Sequence, residues 1–218
     1  MQMNEKAKLV VHELKNHAPF TLFGSLTAII FIILIIKGNL LSSISPHSEA
    51  IFYILHPTHI FLSAIVTTTL YVKYNKKSLV FVMLIGCIGS IGIATISDSI
   101  IPYLGELLVG LSNPGAHIGF LEQPFLTIPP AIIGVILGYW KGFSKFPHAG
   151  HILISTWASL FHILMAVGNA IDVVQTIGIF IFLFLAVWLP CCTSDIIYPL
   201  ILAKSPYEVH RQKTTGTK

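Results

Sequence analysis

The chain has 218 residues, of which 54% are hydrophobic and 10% are charged, and its mean hydropathy is +0.80. Soluble domains carry about 25% charged residues, so this composition excludes a soluble globular protein and indicates an integral membrane protein. The formal net charge of +4 comes from lysines between apolar runs, and no nucleic-acid partner is expected. The three cysteines lack the number and spacing of a disulfide framework.

Six apolar segments follow one another along the chain, each close to the roughly 17–25 residues that a membrane-crossing helix needs. They cover residues 20–36, 57–73, 79–96, 125–140, 151–167 and 171–189. Residues 4–17 predict a short amphipathic helix, and no cleavable signal-peptide pattern is apparent there. A polar loop is expected over residues 37–49. Short interfacial or re-entrant helices are expected after the third and sixth segments.

Three motifs occur twice in the same order. The pattern H-x-x-H-I-x-x-S at residues 56–63 returns 92 residues later, and S-D-x-I-x-P at residues 97–102 returns after 97 residues. A Pro-Phe pair opens the first and the fourth apolar segments, with an offset of 105 residues. Repetition of this kind indicates an internal duplication. The predicted domains are residues 1–104, residues 105–203 and a polar cytoplasmic tail at residues 204–218.

Basic residues predict the orientation. When the polar segments are taken alternately, twelve Lys and Arg residues fall in the set that includes both termini and one falls in the other set. Cytoplasmic segments carry the excess of Lys and Arg, so both termini are expected to be cytoplasmic in a cell membrane. Three spans per repeat is an odd number, so the second copy is inverted. We therefore predict an all-α integral membrane protein with six transmembrane helices in two inverted-topology three-helix repeats, as in many secondary transporters.

Inversion sorts the candidate metal ligands into two clusters near opposite membrane faces. Residues i and i+3 share one helix face, so each H-x-x-H offers two imidazoles to one ion. Imidazole and carboxylate suit divalent first-row metals such as Zn, Fe, Ni and Co, and oxygen-rich sites suit Mn. The cytoplasmic cluster comprises His12, His17, His148, His151, Cys191 and Asp195. The outer cluster comprises His56, His59, Asp98, His117 and Glu122.

Two segments resemble a known group of proteins. Residues 56–69, which read His-Pro-x-His-Ile-Phe-Leu-Ser-Ala followed by threonines, and residues 97–105 resemble prokaryotic multi-span membrane proteins catalogued as heavy-metal or manganese exporters. The resemblance implies metal transport. We therefore predict a transporter or channel for a divalent transition-metal ion, not an enzyme, whose partners are the lipid bilayer and the ion. A homo-oligomer is compatible with the sequence.

Other interpretations stay open at this point. A b-type cytochrome would use membrane histidines as haem ligands, and His148 and His162 are 14 residues apart in one segment. An intramembrane metal-dependent hydrolase would need one site with an open coordination position and a general base. The histidines are also compatible with interfacial polar contacts, and His162 with a hydrogen-bonded helix contact. The two repeated aspartates suit helix caps.

Overall fold

The computed structural model describes residues 5–74, 78–141, 146–168 and 170–192, and this part of the chain contains helices and no strand. The helices are α1 (Glu5–Lys37), α2 (Leu41–Tyr74), α3 (Leu79–Thr95), a π-helical turn (Ile96–Ile100), α4 (Ile101–Val109), α5 (Gly119–Glu122), α6 (Pro124–Lys141), α7 (Phe146–Ala166) and α8 (Val173–Cys192).

Four helical stretches are long and apolar enough to cross a membrane, namely His17–Lys37, Leu41–Val72, Leu79–Val109 and Val173–Cys191. Two shorter apolar helices, Pro124–Trp140 and Gly150–Ala166, cover the predicted fourth and fifth spans. Large apolar side chains such as Phe125 and Trp140 are exposed, which is compatible with contact to lipid. The prediction of an all-helical fold is confirmed for the described residues, and four of its helical stretches have the length and hydropathy of membrane spans.

Helix α2 begins much earlier than expected. The prediction of a polar loop over residues 37–49 is wrong, because a tight turn at residues 38–40 joins α1 directly to α2. In this turn Asn39 takes a φ of 53°, a left-handed conformation that asparagine tolerates. Pro46 and Pro57 then lie inside α2, as membrane helices allow when neighbouring groups satisfy the freed backbone. His56 and His59 therefore lie within a helix and not at its end.

The helical run that begins with α3 continues to Val109, past residue 96, where the third segment was predicted to end. The π-helical turn Ile96–Ile100 joins α3 to α4, with the Ile101 amide donating to the Ile96 carbonyl in the i→i+5 pattern. A π-turn inserts an extra residue into a helix and is frequent at functional sites. Ser97, Asp98 and Ser99 are all buried in it. The interpretation of Asp98 as a cap at a span end is wrong, because the helix runs on through it.

Helix α2 lies at the centre of the bundle and packs against α3, α6 and α7, while α1 packs against α7 and α8. One apolar core joins α1, α2, α7 and α8 and includes Phe52. A smaller one joins α2, α3 and α6 and includes Ala64 and Tyr71. Since Phe52 and Ala64 belong to different cores, the stretch of α2 that carries His56 and His59 lies between them.

Close approach of α6 to α2 depends on Gly134. A Cβ atom at this position would lie 2.5 Å from the Phe61 carbonyl oxygen and 2.8 Å from the Ala64 Cβ. We expect Gly134→Ala to destabilise the protein by about 1–3 kcal/mol, as overpacking typically does, and to lower the thermal midpoint in detergent. The control is Gly92→Ala, where the new Cβ meets nothing within 4 Å. Equal midpoints for the two variants would contradict this packing.

Candidate functional site

The carboxylate of Asp98 is the centre of a buried polar cluster. Its Oδ2 lies 2.9 Å from His56 Nδ1 and 2.7 Å from His59 Nδ1, and all three side chains are inaccessible to solvent. An ionised carboxylate only accepts hydrogen bonds, so both imidazoles donate from Nδ1. When such a ring is neutral, its Nε2 is a lone-pair acceptor.

Two hydroxyls complete the bonding of this carboxylate. Ser97 Oγ donates to Asp98 Oδ1 at 2.6 Å, and Ser155 Oγ donates to the same oxygen at 2.7 Å. Asp98 thus receives four donors from α2, α7 and its own π-turn, which offsets the large cost of burying a charge. Ser159 Oγ also lies 3.0 Å from the Ser97 carbonyl oxygen. These contacts hold α7 against the π-turn.

The two copies of the H-x-x-H motif meet at this centre. The His59 and His151 rings stack with their centroids 5.9 Å apart and an interplanar angle of 11°, and His17 lies edge-on to His151 at 6.5 Å. Cys191 Sγ lies 3.9 Å from His59 Nε2. Residues assigned to the cytoplasmic cluster therefore contact residues assigned to the outer cluster.

The prediction of two separate clusters near opposite faces is wrong for these residues. The early start of α2 moves His59 into the interior, and the packing of α2 on α7 brings His151 to it. The side chains of His12, His148 and Cys192 and the whole of Asp195 lie outside the described part of the structure. Their assignment stays a prediction.

A second buried pair of polar side chains joins α4 to α7. Glu106 Oε1 lies 2.7 Å from His162 Nδ1, and both side chains are fully buried. His162 Nε2 donates to the Ala116 carbonyl oxygen at 3.1 Å, and Glu106 Oε2 accepts from the Gly115 amide at 3.1 Å. From the sequence, the role of His162 stayed open, and Glu106 was not among the candidate site residues. An acidic residue in an otherwise apolar helix was the available signal, since such residues are rare and functional in membranes.

His117 and Glu122 do not reach Asp98. Their closest side-chain atoms are 3.7 Å apart and both residues are partly exposed, and the Tyr53 hydroxyl donates to Glu122. His117 lies edge-on to His162 at 5.6 Å. The Phe52 ring then separates the two groups, because it stacks on His56 at 5.1 Å and lies edge-on to His162 at 5.4 Å.

The Asp98 centre has a feature typical of metal sites. Metal-binding histidines usually donate their other ring N–H to a carboxylate, which fixes the tautomer and raises the basicity of the ligating nitrogen. Here one carboxylate does this for two imidazoles, and His56 Nε2 is buried without a hydrogen-bond partner. Within the described residues, no group of three or more His, Cys, Asp or Glu side chains meets the geometric criteria for holding a metal ion.

No protein family, curated protein or solved structure matches the chain.

Asp98 is expected to be essential for stability through its hydrogen bonds. In Asp98→Ala the four donors lose their acceptor, and each unsatisfied buried group costs about 1–3 kcal/mol. Asp98→Asn keeps the shape, because its carbonyl accepts from the two serines and its amide donates to both Nδ1 atoms after a tautomer change. Thermal unfolding in detergent should show a large loss for Ala and a small one for Asn. Equal losses would contradict the four-donor arrangement.

Proposed function

We propose that the protein transports a divalent transition-metal ion through one central site, formed where the two H-x-x-H motifs meet. The observation that carries this proposal is the Asp98 carboxylate, which holds His56 and His59 by Nδ1 and leaves Nε2 of each ring as an acceptor. An ionisable cluster buried in membrane helices is a functional site by default, because burying it otherwise costs stability.

The atoms around His59 Nε2 support a soft, borderline ion. In a tetrahedral zinc site the Zn–S distance is about 2.3 Å and the Zn–N distance about 2.0–2.1 Å, which places the two ligand atoms roughly 3.6 Å apart. Cys191 Sγ and His59 Nε2 are 3.9 Å apart, so a small shift would let both bind one ion. His151 and His17 are the adjacent imidazoles. Thiolate and imidazole favour Zn, Fe, Ni or Co over Mn.

The pairing of helices supports the inverted repeat and six spans. If α1, α2 and α3 correspond to α6, α7 and α8, each contact should have a counterpart. The pair α1–α7 corresponds to α6–α2, α1–α8 to α6–α3, and α2–α3 to α7–α8, and all six pairs are in contact. The pair α2–α7 corresponds to itself, and its equivalent residues His59 and His151 stack on each other. Substrate sites at the repeat interface are typical of such transporters.

The geometry favours transport over the haem alternative. Both ring nitrogens of His162 are engaged, one with Glu106 and the other with the Ala116 carbonyl. A haem ligand must direct one nitrogen at the iron. His162 would have to break a buried hydrogen bond to do so.

Metal binding by the purified protein tests the proposal. We expect His59→Ala and Cys191→Ala to lower zinc affinity, because each removes a ligand atom. Asp98→Asn should lower it by about 10–100-fold, the usual effect of losing an outer-shell partner, since the tautomer change turns both Nε2 atoms into donors. Isothermal titration with ZnCl₂ and zinc flux into proteoliposomes are the measurements.

The matched control for these variants is His47→Ala, because His47 is exposed on α2 away from the centre. It should bind and transport zinc as the unsubstituted protein does. Unchanged zinc affinity and flux in both His59→Ala and Asp98→Asn would overturn the proposed site.

The orientation has its own test. Single cysteines at positions 43 and 113, in a chain with Cys87, Cys191 and Cys192 replaced, should react with an impermeant thiol reagent added outside intact cells. A cysteine at position 75 should react only after the membrane is opened, because the basic segments are expected inside. Outside labelling at position 75 would reverse the orientation.

A further inference from the structure

The segment between α4 and α5 is hydrogen-bonded to α4, α7 and the π-turn. Residues 111–119, here called the closing segment, run without regular structure from Gly110, which ends α4 with a φ of 68°, to the first residue of α5. Buried backbone N–H and C=O groups outside a helix must find hydrogen-bond partners elsewhere in the protein. The contacts that satisfy these groups are therefore the contacts that hold the segment in place.

Three buried side chains hold the backbone of the closing segment. Glu106 accepts from the Gly115 amide, His162 donates to the Ala116 carbonyl at 3.1 Å, and Ser99 Oγ donates to the His117 carbonyl at 3.0 Å. They come from α4, α7 and the π-turn. The Asn113 amide adds a backbone bond to the Ala166 carbonyl at 3.0 Å.

The end of the closing segment covers an atom of the central site. A Cβ atom on Gly119 would lie 2.6 Å from His56 Cδ2 and 2.8 Å from His56 Nε2. That Nε2 is buried and has no hydrogen-bond partner, although its ring is oriented by Asp98. An oriented imidazole nitrogen without a partner, lying directly beneath glycine backbone, is an unused ligand position under a cover.

We propose that the closing segment is a gate over His56, and that Glu106 and His162 are positioning residues that hold the gate closed. When their bonds to Gly115 and Ala116 break, the segment lifts and His56 Nε2 can take a divalent cation from that face. The identity of the cation rests on the proposed function. The closure itself does not, because it depends only on these backbone contacts.

The ion pair of Glu106 and His162 is suited to a contact that breaks and forms again. A buried ion pair adds little net stability, and apolar residues of similar volume often serve a fold as well or better. The Ala116 oxygen can only accept, so His162 Nε2 carries a proton. One further proton is shared between His162 Nδ1 and Glu106 Oε1, and the pair is neutral overall whichever of the two atoms holds it. Hydrogen bonds to a loop can break and form again without repacking the core.

A buried cysteine beneath the gate reports its opening. Thr127 is fully buried, its hydroxyl donates to the carbonyl of Gln123, the residue that precedes α6, and its Cγ2 lies 3.6 Å from the Cβ position of Gly119. Thr127→Cys is therefore a small change under the segment. The protein is purified in detergent with its native cysteines replaced, and the rate of reaction with a hydrophilic methanethiosulfonate is measured. In detergent both ends of the bundle meet the reagent.

We expect slow labelling in the parent and about tenfold faster labelling in Glu106→Leu and in His162→Leu, the change that loss of about 1.4 kcal/mol of closure produces. Ser99→Ala should also accelerate it, and this small substitution serves if the buried Leu variants fail to fold. Glu106→Gln should stay slow, because its amide accepts from Gly115 and donates to His162.

The matched control reporter is Thr156→Cys. Thr156 is equally buried, bonds within its own helix to Ile152 and packs against Gly24. It should label slowly in every background. Slow labelling of Thr127→Cys in all loosened variants would overturn the gate, and so would parallel acceleration of both reporters, which means that the whole bundle has loosened. No metal enters this measurement, so its failure leaves the zinc experiments unaffected.

Discussion

The arrangement of this protein depends on one buried carboxylate. Asp98 lies in an apolar bundle where an uncompensated charge is very costly, and its two oxygens are satisfied by four donors from α2, α7 and the π-turn. Those bonds set how α7 sits on α2 and orient two imidazoles. The π-turn is part of the same solution, because it lets three consecutive polar residues, Ser97, Asp98 and Ser99, be buried together. Stability and the proposed ligand geometry therefore share the same bonds.

If the protein transports an ion as proposed, a single central site implies a different mechanism from two separate sites. Two clusters near opposite faces would pass an ion from one to the other, whereas a site at the contact of His59 and His151 must open to each face in turn. Inverted-repeat transporters work in this way, with substrate held between the repeats. The equivalence of these two histidines under the proposed repeat makes the centre nearly symmetric, so the two routes leading from it need not use different chemistry.

On the side of the closing segment, a series of polar side chains leads toward the proposed central site. It runs from Glu122 and His117 to the pair of His162 and Glu106, and Phe52 then lies between this pair and His56. The Phe52 ring packs between the imidazoles of His56 and His162. In the proposed transport, passage along this side would require movement of the closing segment or of Phe52, and the backbone at Gly119 lies directly against His56 Nε2.

The sequence by itself predicted the all-helical class and the apolar segments and singled out His59, His151 and Asp98, because hydropathy and repeated motifs are local properties. It did not determine where α2 begins, since Ser, Pro and Gly around residue 43 predict a loop in water, yet packing and the bilayer favour helix there. Nor did it reveal the π-turn, the meeting of the two histidine motifs or the role of Glu106. Each depends on partners far away in the chain, such as Ser155 for Asp98 and His162 for Glu106. Only the tertiary structure decides which buried polar groups satisfy one another, because a buried donor must find its acceptor in space and not in sequence.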